Sequence, residues 1–113
     1  MKILARRYAN ALLGLATPAG NVDKVLADLR DFDKSWNENK ELRSIFENPS
    51  VPMATRRQIL RDIAAESGMD PLLRDTLLLL SDRGRLNQVP GILEALEELT
   101  EARSGRVRAE VVT

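Results

Sequence analysis

Residues 4–16 have the sequence LARRYANALLGLA, in which the polar residues and Gly14 fall in one narrow sector of a helical wheel. At about 100° per residue, apolar side chains cover an arc of roughly 200°. The apolar positions are Leu4, Ala5, Tyr8, Ala9, Ala11, Leu12, Leu13, Leu15 and Ala16. A surface helix needs only about half that width to dock on one core. The segment is therefore predicted to be a helix with more apolar surface than its own core uses.

Helical periodicity continues beyond this segment, and Pro and Gly interrupt it at short intervals. The pattern predicts six helices, over residues 3–16, 21–36, 42–46, 53–66, 71–83 and from near 87 to 105. Asn21 and Asp70 are predicted N-caps, Pro71 suits a first helical position, and Gly68 suits a left-handed cap. The sequence thus indicates an all-α fold, a compact six-helix bundle followed by a short C-terminal extended segment.

Two predicted helices show a clear core stripe at i, i+3 and i+4 spacing. In the second helix the stripe is Val22, Val25, Leu26, Leu29, Phe32 and Trp36. In the sixth it is Val89, Ile92, Leu93, Leu96 and Leu99, opposite a face of Glu94, Glu97, Glu98 and Glu101. Both stripes are expected to face one common core.

The last residues follow a different pattern from the helices. Val107, Ala109 and Val111 alternate with mostly charged residues, which is typical of a strand. Because one strand is not stable alone, we expect a further region to follow. The predicted domain organisation is a six-helix domain over residues 1–105 and the start of a linker or second domain over 106–113.

The composition argues against catalysis. The chain has 17 basic and 17 acidic residues, and it contains neither His nor Cys. Imidazole bases, thiolate nucleophiles and most zinc sites are therefore excluded, and the single glycines form no phosphate-binding loop. No cofactor and no catalytic or metal-binding residue is expected. The longest apolar run, Leu77 to Leu80, is far too short to cross a bilayer.

The fifth predicted helix also has surplus apolar surface, over an arc of roughly 160°, with Leu78 isolated on its far side. Pattern alone leaves two interpretations open. Helices one and five could be central helices enclosed by the other four, or they could lie side by side and form a groove for an amphipathic partner helix. The predicted groove residues are Leu4, Tyr8, Ala11, Leu15, Thr76, Leu79, Leu80 and Arg83.

Five segments resemble, in order and spacing, the delta subunit of F-type ATP synthase, called the oligomycin-sensitivity-conferring protein in mitochondria. They are LARRYANAL at 4–12, Asn48-Pro49 with Val51-Pro52, residues 72–80, Gly84-Arg85-Leu86 leading through Pro90 to Ile92 and Leu93, and residues 105–112. The last segment resembles the family's passage into its second domain. Arg7 stands where some members have Pro, and Trp36 is not at a position recognised as shared.

The resemblance implies a non-catalytic stator subunit of the proton-translocating ATP synthase. In that family the N-terminal six-helix domain binds N-terminal helices of alpha subunits on the catalytic head, in a groove between helices one and five. Tyr8, Ala11, Leu79 and Leu80 match positions of that groove. The second domain, which this sequence lacks, contacts the b subunits of the peripheral stalk. The implied location is the cytoplasmic face of a bacterial inner membrane, peripheral through the complex and without direct membrane insertion.

A module that binds nucleic acid, or a regulatory helical module, is the alternative interpretation. Its candidate residues are the basic groups Arg6-Arg7, Arg56-Arg57 and Arg83-Gly84-Arg85. Few aromatic residues accompany them, so base stacking is disfavoured and no nucleic-acid partner is expected. An enzyme ranks third, because His, Cys and a cofactor loop are all absent from the sequence.

Overall fold

A computed structural model describes residues 2–104, with side chains from residue 3 to residue 101. Its helices are α1 (Lys2–Ala19), α2 (Val22–Glu38), α3 (Lys40–Glu47), α4 (Met53–Ser67), α5 (Pro71–Asp82) and α6 (Val89–Ser104). Over this range the chain contains no strand, and the predicted all-α six-helix fold is confirmed. The predicted helix end at Gly105, the domain boundary after it and the extended segment lie outside the described residues.

The first helix runs three residues beyond its predicted end, through Pro18 to Ala19. Pro18 lies in the last turn, where its missing N–H removes one hydrogen bond without breaking the body of the helix. The N–H groups of Gly20 and Asn21 then close the helix on the carbonyls of Thr17 and Ala16. This double closure needs a left-handed residue, and Gly20 supplies it with φ of 74°.

The other predicted boundaries are largely confirmed. Asp70 caps α5 by accepting the N–H of Leu72 at 2.8 Å, and Gly68 ends α4 in a left-handed conformation. Asn21 occupies the N-cap position of α2, but its side chain makes no capping hydrogen bond. The sixth helix begins at Val89, after a 3-10 turn over Leu86–Gln88, two residues later than predicted.

The core forms where α1 packs on α6, with α2 and α5 completing its surroundings. Of the α2 stripe, all but the partly buried Val22 are buried, and Val89, Ile92 and Leu96 of α6 join them. Trp36 lies between Phe32 and Phe46, with ring centroids 6.3 and 6.2 Å apart. The two stripes read from the sequence therefore meet in one core, as predicted.

The far side of α5 is not isolated from the core. Leu78 was predicted to lie alone there, but it is buried and belongs to the hydrophobic cluster. The reason is that α4 packs along this side of α5, an arrangement that a helical wheel cannot reveal. None of the helices in residues 2–104 is both long and apolar enough to span a membrane.

Candidate docking site between α1 and α5

The wide apolar arc of α1 divides into a core half and an exposed edge. The core half is buried, and its members are Ala5, Ala9, Leu12, Leu13 and Ala16. On the edge, Leu4 and Tyr8 are partly buried and Ala11 is exposed. Leu15 keeps 57% of its surface exposed. The helix α1 is thus packed against several other helices and still has apolar surface that the bundle's own core does not use.

The helix α5 divides in the same way. Leu80 is only 1% exposed and lies beneath the surface, so it belongs to the core and can form no more than the floor of a groove. Leu79 is 41% exposed, Thr76 is partly buried and Arg83 is exposed. The Thr76 hydroxyl donates to the carbonyl of Leu72 at 2.8 Å. Leu15 and Leu79 are two of the four large hydrophobic residues exposed in the described chain.

Two hydrogen bonds between side chains fix the direction of α1 relative to α5. The Asn21 amide, just after α1, donates to the carboxylate of Asp70, just before α5. The guanidinium of Arg85, just after α5, donates to the hydroxyl of Tyr8 within α1 at 3.3 Å. The end of one helix therefore lies near the start of the other, so the helices run antiparallel. With 1.5 Å per residue, the two contacts are about 20 Å apart along α1.

Tyr8 carries polar contacts between the exposed edge of α1 and the end of α5. Its hydroxyl oxygen accepts from Arg85, and Arg83 lies close enough to interact with the same oxygen. Burial alone would raise the pKa of Tyr8, but the hydrogen bonds and positive charges of Arg85 and Arg83 outweigh it and lower the pKa below 10.0. The surface beside Tyr8 is therefore positively charged.

Asp28 holds the turn that precedes α5, a role that the sequence analysis did not predict. It is buried, and its carboxylate accepts the backbone N–H of Asp70 at 2.8 Å and the ammonium of Lys24 at 2.9 Å. Lys24 also donates to the carbonyl of Gly68. These bonds hold the turn between α4 and α5 against α2, so α5 starts from a fixed position. The available sequence signal was its position on the core side of α2, two turns before Trp36.

The remaining basic groups do not converge on one surface. Arg6 pairs with Glu98 across α1 and α6, and Arg57 pairs with Asp82 across α4 and α5. Arg56 is partly buried and donates to the carbonyl of Phe46. In the part of the chain with described side chains, no group of three or more acidic residues could hold a metal ion.

Comparison with known families gives a match over nearly the whole chain. Residues 4–113 match the family described as ATP synthase delta (OSCP) subunit. The ATP synthase subunit delta of Myxococcus xanthus is 36% identical in an alignment of 112 residues that covers 97% of this chain and 62% of the relative. That of Citrifermentans bemidjiense is 31% identical over 105 residues, which are 93% of this chain and 58% of the relative.

The fold also matches that of one chain in a solved assembly. A chain in a cryo-EM structure of the Polytomella F-ATP synthase, from a refinement focused on the F1 head and rotor, superposes with a TM-score of 0.81. The two chains are 26% identical, and the superposition covers 88% of each. Against the curated relatives the chain spans about three fifths of their length, at 58% and 62% for the two named above.

Proposed function

The chain belongs to the ATP synthase delta (OSCP) subunit family, and from this premise we propose that its helical domain docks on the catalytic head of F-type ATP synthase by binding N-terminal helices of alpha subunits. The docked helix lies in the groove between α1 and α5. The apolar edges of the two helices, together with Tyr8, contact its apolar face. This is recognition of an amphipathic helix by a groove, with anchors spaced at i, i+3, i+4 and i+7.

The observation that carries the proposal is the exposed apolar surface on both sides of the groove, which the core of the bundle does not bury. Leu15 and Leu79 are 57% and 41% exposed, on helices whose core sides are already buried. Single exposed leucines need no explanation, but here one lies on each of two antiparallel neighbours. Ala11 lies one turn before Leu15, and its small side chain leaves room for close approach of a partner helix.

The proposed role is mechanical and not catalytic. By resemblance to the family, the domain is one end of a stator that links the head to the peripheral stalk, whose b subunits a second domain contacts. A joint of this kind depends on slow dissociation, and affinity differences between related complexes lie mostly in the off-rate. The complex holds the chain peripherally at the cytoplasmic face of a bacterial inner membrane, with no insertion of its own.

The test is a titration of the 113-residue chain with a synthetic peptide of about 20 residues from the N-terminus of the alpha subunit, followed by amide NMR shifts. We expect the largest shifts on the exposed edges of α1 and α5. No binding, or shifts confined to other helices, would contradict the proposal. Raising the ionic strength distinguishes the nucleic-acid alternative, because binding to many phosphates weakens steeply with salt, whereas docking dominated by apolar contacts weakens much less.

A further inference from the structure

We propose that the docked helix carries a carboxylate side chain that pairs with Arg83 and Arg85 at the Tyr8 end of the groove, and that this ion pair sets the register of the helix. The inference rests on the proposed function and specifies the chemistry of the partner. It follows from the placement of charge along the groove, which neither the apolar pattern nor the family match describes.

Arg83 and Arg85 differ from several other arginines in forming no ion pair with any described carboxylate. Four arginines of the described chain form ion pairs with Asp or Glu. They are Arg6, Arg30, Arg57 and Arg74. Among side chains 3–101, neither Arg83 nor Arg85 has a carboxylate at ion-pair distance. Both are exposed, and both interact with the one hydroxyl of Tyr8, so two like charges are held close together.

The position of this pair ties it to the groove. Arg83 is the C-cap residue of α5 and lies one turn beyond Leu79, on the same edge. Arg85 reaches across to Tyr8 on the edge of α1. The pair therefore bridges the two edges at one end of the apolar strip, where a helix lying in the groove must pass beside it.

The charge at the opposite end of the groove is different. The carboxylate of Asp70 lies there, is buried and accepts hydrogen bonds from the Asn21 amide and from the N–H of Leu72. The exposed arginines therefore make the electrostatic potential positive at the Tyr8 end. A helix with an acidic residue facing the arginines is complementary to this potential, and a register that places a basic residue there is disfavoured.

The experiment compares three forms of the 113-residue chain for binding of the alpha-subunit peptide by isothermal titration calorimetry. They are the wild type, the double variant Arg83→Gln/Arg85→Gln and the control Arg61→Gln. Arg61 is an exposed arginine of α4 that likewise forms no ion pair among the described side chains. We expect the double variant to bind about tenfold more weakly, as the loss of a partly desolvated charge pair implies, and the control to bind like the wild type.

The carboxylate is then identified by replacing each acidic residue of the peptide with its amide, one at a time. One replacement should weaken binding to the wild type about tenfold and have no further effect on the double variant. Unchanged binding of the double variant overturns the inference. So does a lower melting temperature with unchanged binding, since the arginines would then only stabilise the C-terminal end of α5.

The inference and the proposed function fail in different ways. If the wild type binds with NMR shifts on α1 and α5, but the arginine substitutions have no effect, only the ion pair is refuted. If every peptide replacement acts independently of Arg83 and Arg85, the ion pair is refuted as well. If the wild type does not bind the peptide, both are refuted.

Discussion

The pKa of Tyr8 reports directly on the charges beside the groove. The chain has a single Tyr, so tyrosinate absorbance near 295 nm reports this side chain alone. Arg85 and Arg83 lower its pKa, and we expect a titration midpoint below 10.0 in the folded chain. Arg83→Gln/Arg85→Gln should move the midpoint upward. An unchanged midpoint would show that the arginines do not reach the hydroxyl in solution.

The same shift has a consequence for stability. A pKa lower in the folded than in the unfolded chain means that the folded chain loses the phenolic proton first as pH rises. The contribution of Tyr8 to folding stability is therefore fully present above the unfolded pKa near 10 and is lost as pH falls through the folded pKa. Denaturant titrations of wild type and Tyr8→Phe, at pH 7 and at alkaline pH, should differ more at alkaline pH.

Ala11 and Ala9 lie on the same helix, and substitutions at these two positions distinguish an effect on docking from an effect on folding. Ala11 is exposed on the groove edge, whereas Ala9 is 0% exposed in the core. Ala11→Asp should leave the domain folded and weaken peptide binding by at least about a hundredfold, because docking would bury an unpaired carboxylate. Ala9→Asp should unfold the domain, since such a charge costs a large part of a typical stability of about 5–15 kcal/mol. Circular dichroism and calorimetry check both; unfolding of Ala11→Asp would place that residue in the core.

At the scale of the helices, the contact between α1 and α6 depends on small residues. A Cβ atom added at Gly91 would lie 3.0 Å from the Cβ of Ala5, whereas one added at Gly14 meets no atom within 4 Å. Gly14→Ala should therefore raise the free energy of unfolding by about 0.5–1 kcal/mol through helix propensity. Gly91→Ala should lower it by about 1 kcal/mol, the low end of overpacking costs. Urea denaturation measures both free energies of unfolding. If the two substitutions raise this free energy equally, α1 and α6 can move apart at Gly91 without loss of stability.

The helices also show which structural features could be predicted from the sequence and which could not. Periodicity predicted all six helices, but it left open which apolar residues of α1 lie in the core, where Ala9 and Leu12 are buried and Leu15 is exposed. It failed at Leu78, because burial there depends on α4, a neighbour that the pattern of α5 does not specify. It also ended α1 too early, because a Pro near a helix end is tolerated only when the closing turn satisfies the last carbonyls. Contacts such as Arg85 with Tyr8, 77 positions apart, are set by packing and leave no local signal.

At the scale of the whole molecule, Asp28 joins parts of the bundle that are distant in sequence. Its buried carboxylate holds the N–H of Asp70, and Asp28→Ala would leave that donor unpaired. We expect a loss of about 1–3 kcal/mol in the free energy of unfolding. Asp31→Ala, an exposed change on the same helix, should stay within about 0.5 kcal/mol of the wild type. The fluorescence of the single Trp36, buried between two Phe rings, reports unfolding in urea; equal effects of the two substitutions would contradict this role.

The two hydrogen bonds that join α1 to α5 at opposite ends have a consequence under load. The hydrogen bond of Asn21 with Asp70 and that of Arg85 with Tyr8 resist separation of α1 from α5. They also resist sliding of one helix along the other. A helix lying lengthwise between walls fixed over about 20 Å is loaded in shear when it is pulled along its axis. Its contacts then share the force and fail together, whereas a pull at right angles would peel them away one by one. The groove is therefore expected to be strongest along its own length, a directional strength that single-molecule pulling from either end or from the middle of the peptide would measure.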